Sequence, residues 1–185
     1  MPLPQDLSLY DNSWYSHGKS KTVRLLWILC NALFLENPLS LSSGFKVRLL
    51  RLFGAKIGVG VLIKPKVTVK HPWMLSIGNH VWIGEGVWID NLGFVNIDDH
   101  VCISQGALLL CGNHNYRKLT FDLMVGAIHL EQGSWIGAKC VICPGVTVGA
   151  GAVIGVGSVA TKNLDADMIY QGNPAVAVRK RGKDS

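Results

Sequence analysis

Leu130-Glu-Gln-Gly-Ser-Trp135, Ile136-Gly-Ala-Lys-Cys-Val141, Ile142-Cys-Pro-Gly-Val-Thr147, Val148-Gly-Ala-Gly-Ala-Val153, Ile154-Gly-Val-Gly-Ser-Val159 and Ala160-Thr-Lys-Asn-Leu-Asp165 run consecutively, six residues at a time. Stacked in this way, the first column is aliphatic or Ala throughout. The fifth column (Ser134, Cys140, Val146, Ala152, Ser158, Leu164) is small or apolar, and glycine fills the second at Gly137, Gly149 and Gly155. A helix would return its apolar residues every 3.6 positions and an ordinary strand every second one. A return at six, with a small residue four places on, fits one short strand plus one turn. Repeats of this kind bury their apolar side only against neighbouring coils, which makes the chain a solenoid. Glycine after the aliphatic residue suits a place where another coil comes close.

Upstream the same ladder is present but slips. It begins at Ile57, Ile63 and Val69, restarts two residues out of phase at Ile77, Ile83 and Ile89, and slips by two again to Ile97, Ile103 and Leu109. The slips fall around His71-Pro72 and Leu92-Gly93 and mark widened corners. From Leu109 to Leu130 the pattern is lost for 21 residues, which is not a multiple of six. That segment, taken as 110–129, is a loop thrown out of the solenoid, and such insertions commonly form the binding face. The expected division is an N-terminal arm and helical cap over 1–56, the solenoid over 57–164 and a C-terminal segment with a basic tail over 165–185.

Residues 1–22 are polar and turn-rich and read as an arm lying over the body. Val23–Leu35 is an apolar run closed by Glu36-Asn37-Pro38, too short to span a bilayer. Ser43–Phe53 has helical spacing, with Phe45, Leu49, Leu52 and Phe53 on one side and Lys46, Arg48 and Arg51 elsewhere. Both pieces are expected to cap the first coil, whose open strand edge would invite aggregation. A basic amphipathic surface of this kind is also suited to rest on an anionic membrane. Ten Lys or Arg against three Asp or Glu in residues 1–70 place most of the net +6 charge there. Without basic residues interleaved with aromatics along a groove, nucleic acid is not an expected partner. Five cysteines, an odd number, and no secretory signal point to a reducing, cytoplasmic setting. Cys140 and Cys143 form a C-x-x-C pair, but their places in the ladder read as packing.

The motifs that carry chemistry lie around the loop and at the far end. They are Cys111-Gly-Asn-His-Asn-Tyr116, Trp135-Ile-Gly137, Pro144-Gly-Val146, Thr161-Lys162 and Gly172-Asn-Pro-Ala175. In this order they resemble the hexapeptide-repeat O-acetyltransferases of the galactoside, maltose and nodulation type. The similarity is greatest to the acetyltransferases of colanic acid biosynthesis, which share segments such as Leu50-Arg-Leu-Phe-Gly-Ala-Lys-Ile57, Pro72-Trp73 and Asn91-Leu-Gly93.

The resemblance implies an all-β solenoid: a left-handed parallel β-helix of hexapeptide repeats with threefold coils, an N-terminal helical cap and an ejected loop. It also implies a homotrimer with acetyl-CoA in a groove between subunits and no metal. His114 matches the family's general base, which takes the proton from a sugar hydroxyl as that oxygen attacks the acetyl thioester. Imidazole titrates near neutrality and suits the task. Asn91 is the candidate oxyanion donor. Trp135 would flank the thioester arm, and Gly137 and Gly155 would let backbone amides reach the pantetheine. Thr161, Lys162 and Arg179 would approach the nucleotide phosphates. Many sugar acetyltransferases have proline after the loop histidine, where this chain has Asn115. The implied acceptor is a sugar or a lipid-linked oligosaccharide of an exopolysaccharide pathway, which would bring the protein to the inner face of the membrane. The alternatives are another small hydroxyl acceptor, a zinc-dependent γ-type carbonic anhydrase using histidines among His71, His80, His100, His114 and His129, and a non-catalytic scaffold.

Overall fold

A computed structural model describes residues 5–40 and 42–182; residues 1–4 of the arm and 183–185 of the tail lie outside the described residues. The ladder forms a parallel β-helix with three sheets. The first coil holds β1 (Lys56–Ile57), β2 (Leu62–Ile63) and β3 (Thr68–Val69), and the second β4 (Leu75–Ile77), β5 (Trp82–Ile83) and β6 (Trp88–Asp90). The third holds β7 (Val95–Ile97), β8 (Cys102–Ile103) and β9 (Leu108–Leu110). The ejected segment folds as a hairpin of β10 (Gly112–His114) and β11 (Leu123–Val125). The fourth coil follows with β12 (Ile128–Leu130), β13 (Trp135–Ile136) and β14 (Val141–Ile142), and the fifth with β15 (Thr147–Val148), β16 (Val153–Ile154) and β17 (Val159–Ala160). Each coil contributes one strand to each sheet: β1, β4, β7, β12 and β15 form sheet A, β2 heads sheet B and β3 heads sheet C.

Both repeat columns point into the core. Leu130, Ile136, Ile142, Val148, Ile154 and Ala160 are all fully buried, as are Ser134, Cys140 and Ala152 from the fifth column. Glycine in the second column is required by the next coil rather than by backbone twist. A Cβ on Gly137 would lie 2.5 Å from the Ile154 carbonyl oxygen, closer than van der Waals contact permits. Cys140 and Cys143 pack in this core, and burial pushes both thiols above their ordinary range.

The registers show where the phase slips reside. Lys56 pairs with Ser76, Leu62 with Trp82 and Thr68 with Trp88, so the second coil returns after 20 residues. The third also returns after 20 (Ser76 to Asn96), the fourth after 33 (Asn96 to His129) and the fifth after 18 (His129 to Thr147). Steps from sheet A to B, as from Asn96 to Cys102, and from B to C, as from Cys102 to Leu108, stay at six. The edge joining sheet C to sheet A takes all the excess: Thr68 to Ser76 is eight, Trp88 to Asn96 eight, Leu108 to His129 twenty-one and Val141 to Thr147 six.

The N-terminal helices α1 (Lys21–Cys30), continued by a wider π turn over Asn31–Leu35, and α2 (Ser43–Leu52) cover the open first coil. They do so by pairing its edge on every sheet. Arg51 donates to the carbonyls of Ile57 and Gly58 at the end of sheet A. On sheet B the Ser43 hydroxyl accepts from the Ile63 N–H (3.0 Å) and donates to its carbonyl (3.1 Å), while buried Lys46 donates to the carbonyls of Ile63 and Lys64. On sheet C the Trp27 indole N–H donates to the Val69 carbonyl (2.8 Å) and Asn31 accepts from the Val69 N–H. Backbone groups left open at a sheet edge are thus satisfied without another strand.

At the other end the repeat runs past Leu164. Leu164 bridges to Val148, and β18 (Met168–Gln171) adds to sheet B after a shortened step of 16 residues, Val153 to Ile169. β19 (Val176–Lys180) then folds back antiparallel on β18 and carries the basic tail.

Candidate active site on two edges of the solenoid

His114 ends β10, the first strand of the hairpin. Its ring lies parallel to Phe121 at 4.4 Å between centroids, and its Nδ1 is 2.9 Å from the Phe121 carbonyl oxygen. A carbonyl can only accept, so Nδ1 carries a proton, and in the neutral ring the lone pair is on Nε2. Phe121 sits at φ 49°, a left-handed conformation uncommon for a bulky residue. The arm straps over this hairpin. Gln5 and Asp6 bond to the carbonyls of Tyr116 and Leu119, Tyr10 approaches the His114 ring at 5.6 Å, and the Tyr15 hydroxyl donates to the Leu92 carbonyl.

Asn91 is fully buried one coil below, at the widened corner between sheets C and A. Its oxygen accepts from the His71 N–H (2.9 Å) and its amide donates to the carbonyls of His71 (2.6 Å) and Met74 (3.2 Å). All its hydrogen-bonding capacity in view goes to holding the preceding corner. Among the five histidines, His80 and His100 stack on the edge between sheets A and B, His129 pairs with Asp98 on sheet A, and His71 is buried at the same corner as Asn91. Among the described residues no group of three His, Cys, Asp or Glu side chains is placed to hold a metal ion.

Trp135, Gly137 and Gly155 stand together on another edge, between sheets B and C. Trp135 is half exposed and its indole N–H is pinned to the Ser104 hydroxyl at 2.9 Å. The amides of Gly137 and Gly155 are committed to the carbonyls of Ile154 and Tyr170. The next amides along, those of Ala138 and Val156, find no acceptor among the described residues. The glycine that permits close approach of the neighbouring coil thus also donates to it, and the amide that follows in each turn is the unpaired one. Arg179 on β19 lies above this region, paired with Ile169 at the end of sheet B. Exposed Thr161 and Lys162 instead follow β17 and sit on the edge that carries His114. No hydrogen bond or ring contact joins the hairpin to Trp135, Gly137 or Gly155 within the chain.

The outer faces of the sheets differ as well. The outward row of sheet A is Lys56, Ser76, Asn96, His129 and Thr147, all polar. Sheets B and C instead expose Leu62, Trp82, Trp88 and Trp135.

Comparison with known proteins agrees with this architecture. The profile of the bacterial transferase hexapeptide family (six repeats) matches residues 127–162. WcaF of Escherichia coli K12, which carries the provisional name of a colanic acid biosynthesis acetyltransferase, is 36% identical over 178 residues, covering 96% of this chain and 97% of that protein. A hexapeptide-repeat acetyltransferase from Vibrio cholerae superposes with a TM-score of 0.78 at 26% identity, over 89% of this chain and 95% of the other. A galactoside acetyltransferase solved with coenzyme A superposes with a TM-score of 0.77 at 25% identity, over 87% of this chain and 82% of that one. The chain belongs to the hexapeptide-repeat acetyltransferases and is an acyltransferase.

Proposed function

We propose that the protein transfers the acetyl group of acetyl-CoA to a saccharide hydroxyl, in the building of an exopolysaccharide of the colanic acid kind, with His114 as general base. The observation that carries the reading is the His114 tautomer. With Nδ1–H donating to Phe121, Nε2 is a fixed acceptor on an ejected hairpin, suited to take a proton from an acceptor hydroxyl. Acetyl-CoA supplies the activated thioester. The unpaired amides of Ala138 and Val156 suit the amide-bearing pantetheine arm, Trp135 offers an apolar wall beside them, and Arg179 a cation for the phosphates. That a related galactoside enzyme was solved with coenzyme A supports the choice of cofactor. Asn91 belongs to the corner that supports the site and is left out of the chemistry.

One chain holds the base and the amide edge on different sides of sheet C. They face one another only when a neighbouring subunit supplies one of them, which supports a homotrimer with the site between subunits. The exposed tryptophans of sheet B, Trp82 and Trp135, would be covered in such an assembly. At the N-terminal end, α1 presents Leu25, Leu26, Ile28 and Leu29 to solvent, followed by Leu33. With Lys19 and Lys21 nearby, that face fits an anionic bilayer on which a lipid-linked acceptor would sit.

The test is His114→Ala, assayed with labelled acetyl-CoA and a panel of nucleotide sugars and lipid-linked glycans. Turnover falls by roughly 10² to 10⁴, while particle size and coenzyme A binding stay as in the parent protein. Unchanged turnover would remove His114 from the chemistry.

A further inference from the structure

Resting on the acetylation reading above, we propose that the cavity between α1 and the second coil is the acceptor pocket, and that it selects a saccharide bearing a negative charge, held by Arg24. The cavity has a volume of about 600 Å³, room for one or two sugar units, and its walls are mostly apolar. Trp73 and Trp88 line it, with Trp73 held in place by its indole N–H on the His17 carbonyl at 2.8 Å. Indole faces of this kind stack against the apolar face of a pyranose ring.

The charge in the cavity is unbalanced in a particular way. Lys70 is spent on Asp90 at 2.7 Å, and Glu36 is spent on Asn31 and Thr68. Arg24 is left over. Its Nε is buried without a partner, and among the described residues no carboxylate lies within ion-pair distance of its guanidinium. His17 beside it also has a buried, unpartnered Nδ1. Burial, with help from the Arg24 charge, holds the His17 imidazole below its ordinary range, and burial pushes His71 down to about 4. Both rings are therefore neutral near pH 7. Buried polar groups in folded proteins are almost always paired, so an open guanidinium and an open imidazole nitrogen in one cavity point to a ligand that completes them. An oxyanion on a sugar does so: the anion takes the guanidinium and a neighbouring hydroxyl the imidazole. The pocket also lies on the edge that carries His114, and the arm runs from Tyr10 beside His114 through Tyr15 to His17 at the pocket wall.

The negative charge can be the carboxylate of a uronic acid or a phosphate ester on the sugar, and the experiment separates the two. Full-length protein is titrated by NMR with methyl glucuronide, glucose 1-phosphate and neutral methyl glucoside, for wild type, Arg24→Gln and Arg24→Lys. One anionic probe is expected to bind at least tenfold more tightly than the neutral glucoside, and which one does so identifies the source. Arg24→Gln abolishes that preference without changing affinity for the glucoside or for coenzyme A. Arg24→Lys, which keeps the charge, retains part of the preference and serves as the folding control. Equal binding of all three probes, or an anion preference that survives Arg24→Gln, overturns the proposal. Anion binding that depends on Arg24, in a protein that acetylates no saccharide, would keep the pocket and sink the acetylation reading instead.

Discussion

Ser43→Ala tests whether the helices hold the solenoid by pairing its first edge. The Ser43 hydroxyl satisfies both backbone groups of Ile63 on the outermost strand of sheet B, at 3.0 and 3.1 Å. Removing it orphans the Ile63 N–H, worth about 1–3 kcal/mol when buried, while the Ile63 carbonyl keeps Lys46 as a donor. Partial access of water to this half-buried site and the better helix propensity of Ala, about 0.5 kcal/mol, reduce the loss. A net loss of about 1 kcal/mol is expected, which for a chain of this size lowers the melting temperature by roughly 2–4 °C. In a solenoid the damage is also local, because each coil contacts only its neighbours. Hydrogen exchange should therefore show faster exchange at the amides of Leu62 and Lys64, which bond to the second coil, and no change at Trp135 or Gly155. A melting temperature within about 1 °C of the parent, with unchanged protection at Leu62 and Lys64, would refute the edge-pairing account.

Acid should destabilise the protein in a window set by histidine. His71 titrates at about 4 in the folded chain and near 6.5 when unfolded, so between those values the unfolded state binds the extra proton and stability falls as pH falls. The slope approaches about 1.4 kcal/mol per pH unit for one such group, with His17 acting in the same direction. Urea titrations at pH 7, 5.5 and 4.5 measure it, and His71→Gln should flatten the profile. For the membrane face, the protein should pellet with phosphatidylglycerol vesicles and not with phosphatidylcholine ones. Leu26→Ser combined with Leu29→Ser should abolish pelleting without altering acetyl transfer to a water-soluble acceptor, and pelleting that survives the double change would count against that face.

The core was legible because its signal is periodic: every first-column residue from Leu130 to Ala160 is fully buried. The two-residue slips were legible for the same reason, since a change of phase can be counted. The cap's chemistry was not. Trp27, Asn31, Ser43, Lys46 and Arg51 act on single carbonyls and amides up to 42 positions away, and pairings of that reach leave no period in the chain. The hairpin inside the loop was hidden because each strand is only three residues long. His114 was nameable from its motif, but the contact that gives it a tautomer is a backbone carbonyl, to which the identity of Phe121 is no guide. Asn91 shows the converse: a polar residue at a slip looked available, and burial at the corner had already used it.

Because two of the three edges keep an invariant six-residue step, length can change at the third without shifting the phase of any other turn. Loops on that edge are in effect interchangeable parts: a longer corner or a different hairpin alters what stands beside the base and leaves the amide-bearing edge untouched. A protein built this way can be given new surroundings for His114 by grafting a single segment, 111–127, onto an unaltered frame. Relatives that differ in acceptor would then be expected to differ in length chiefly at that one seam.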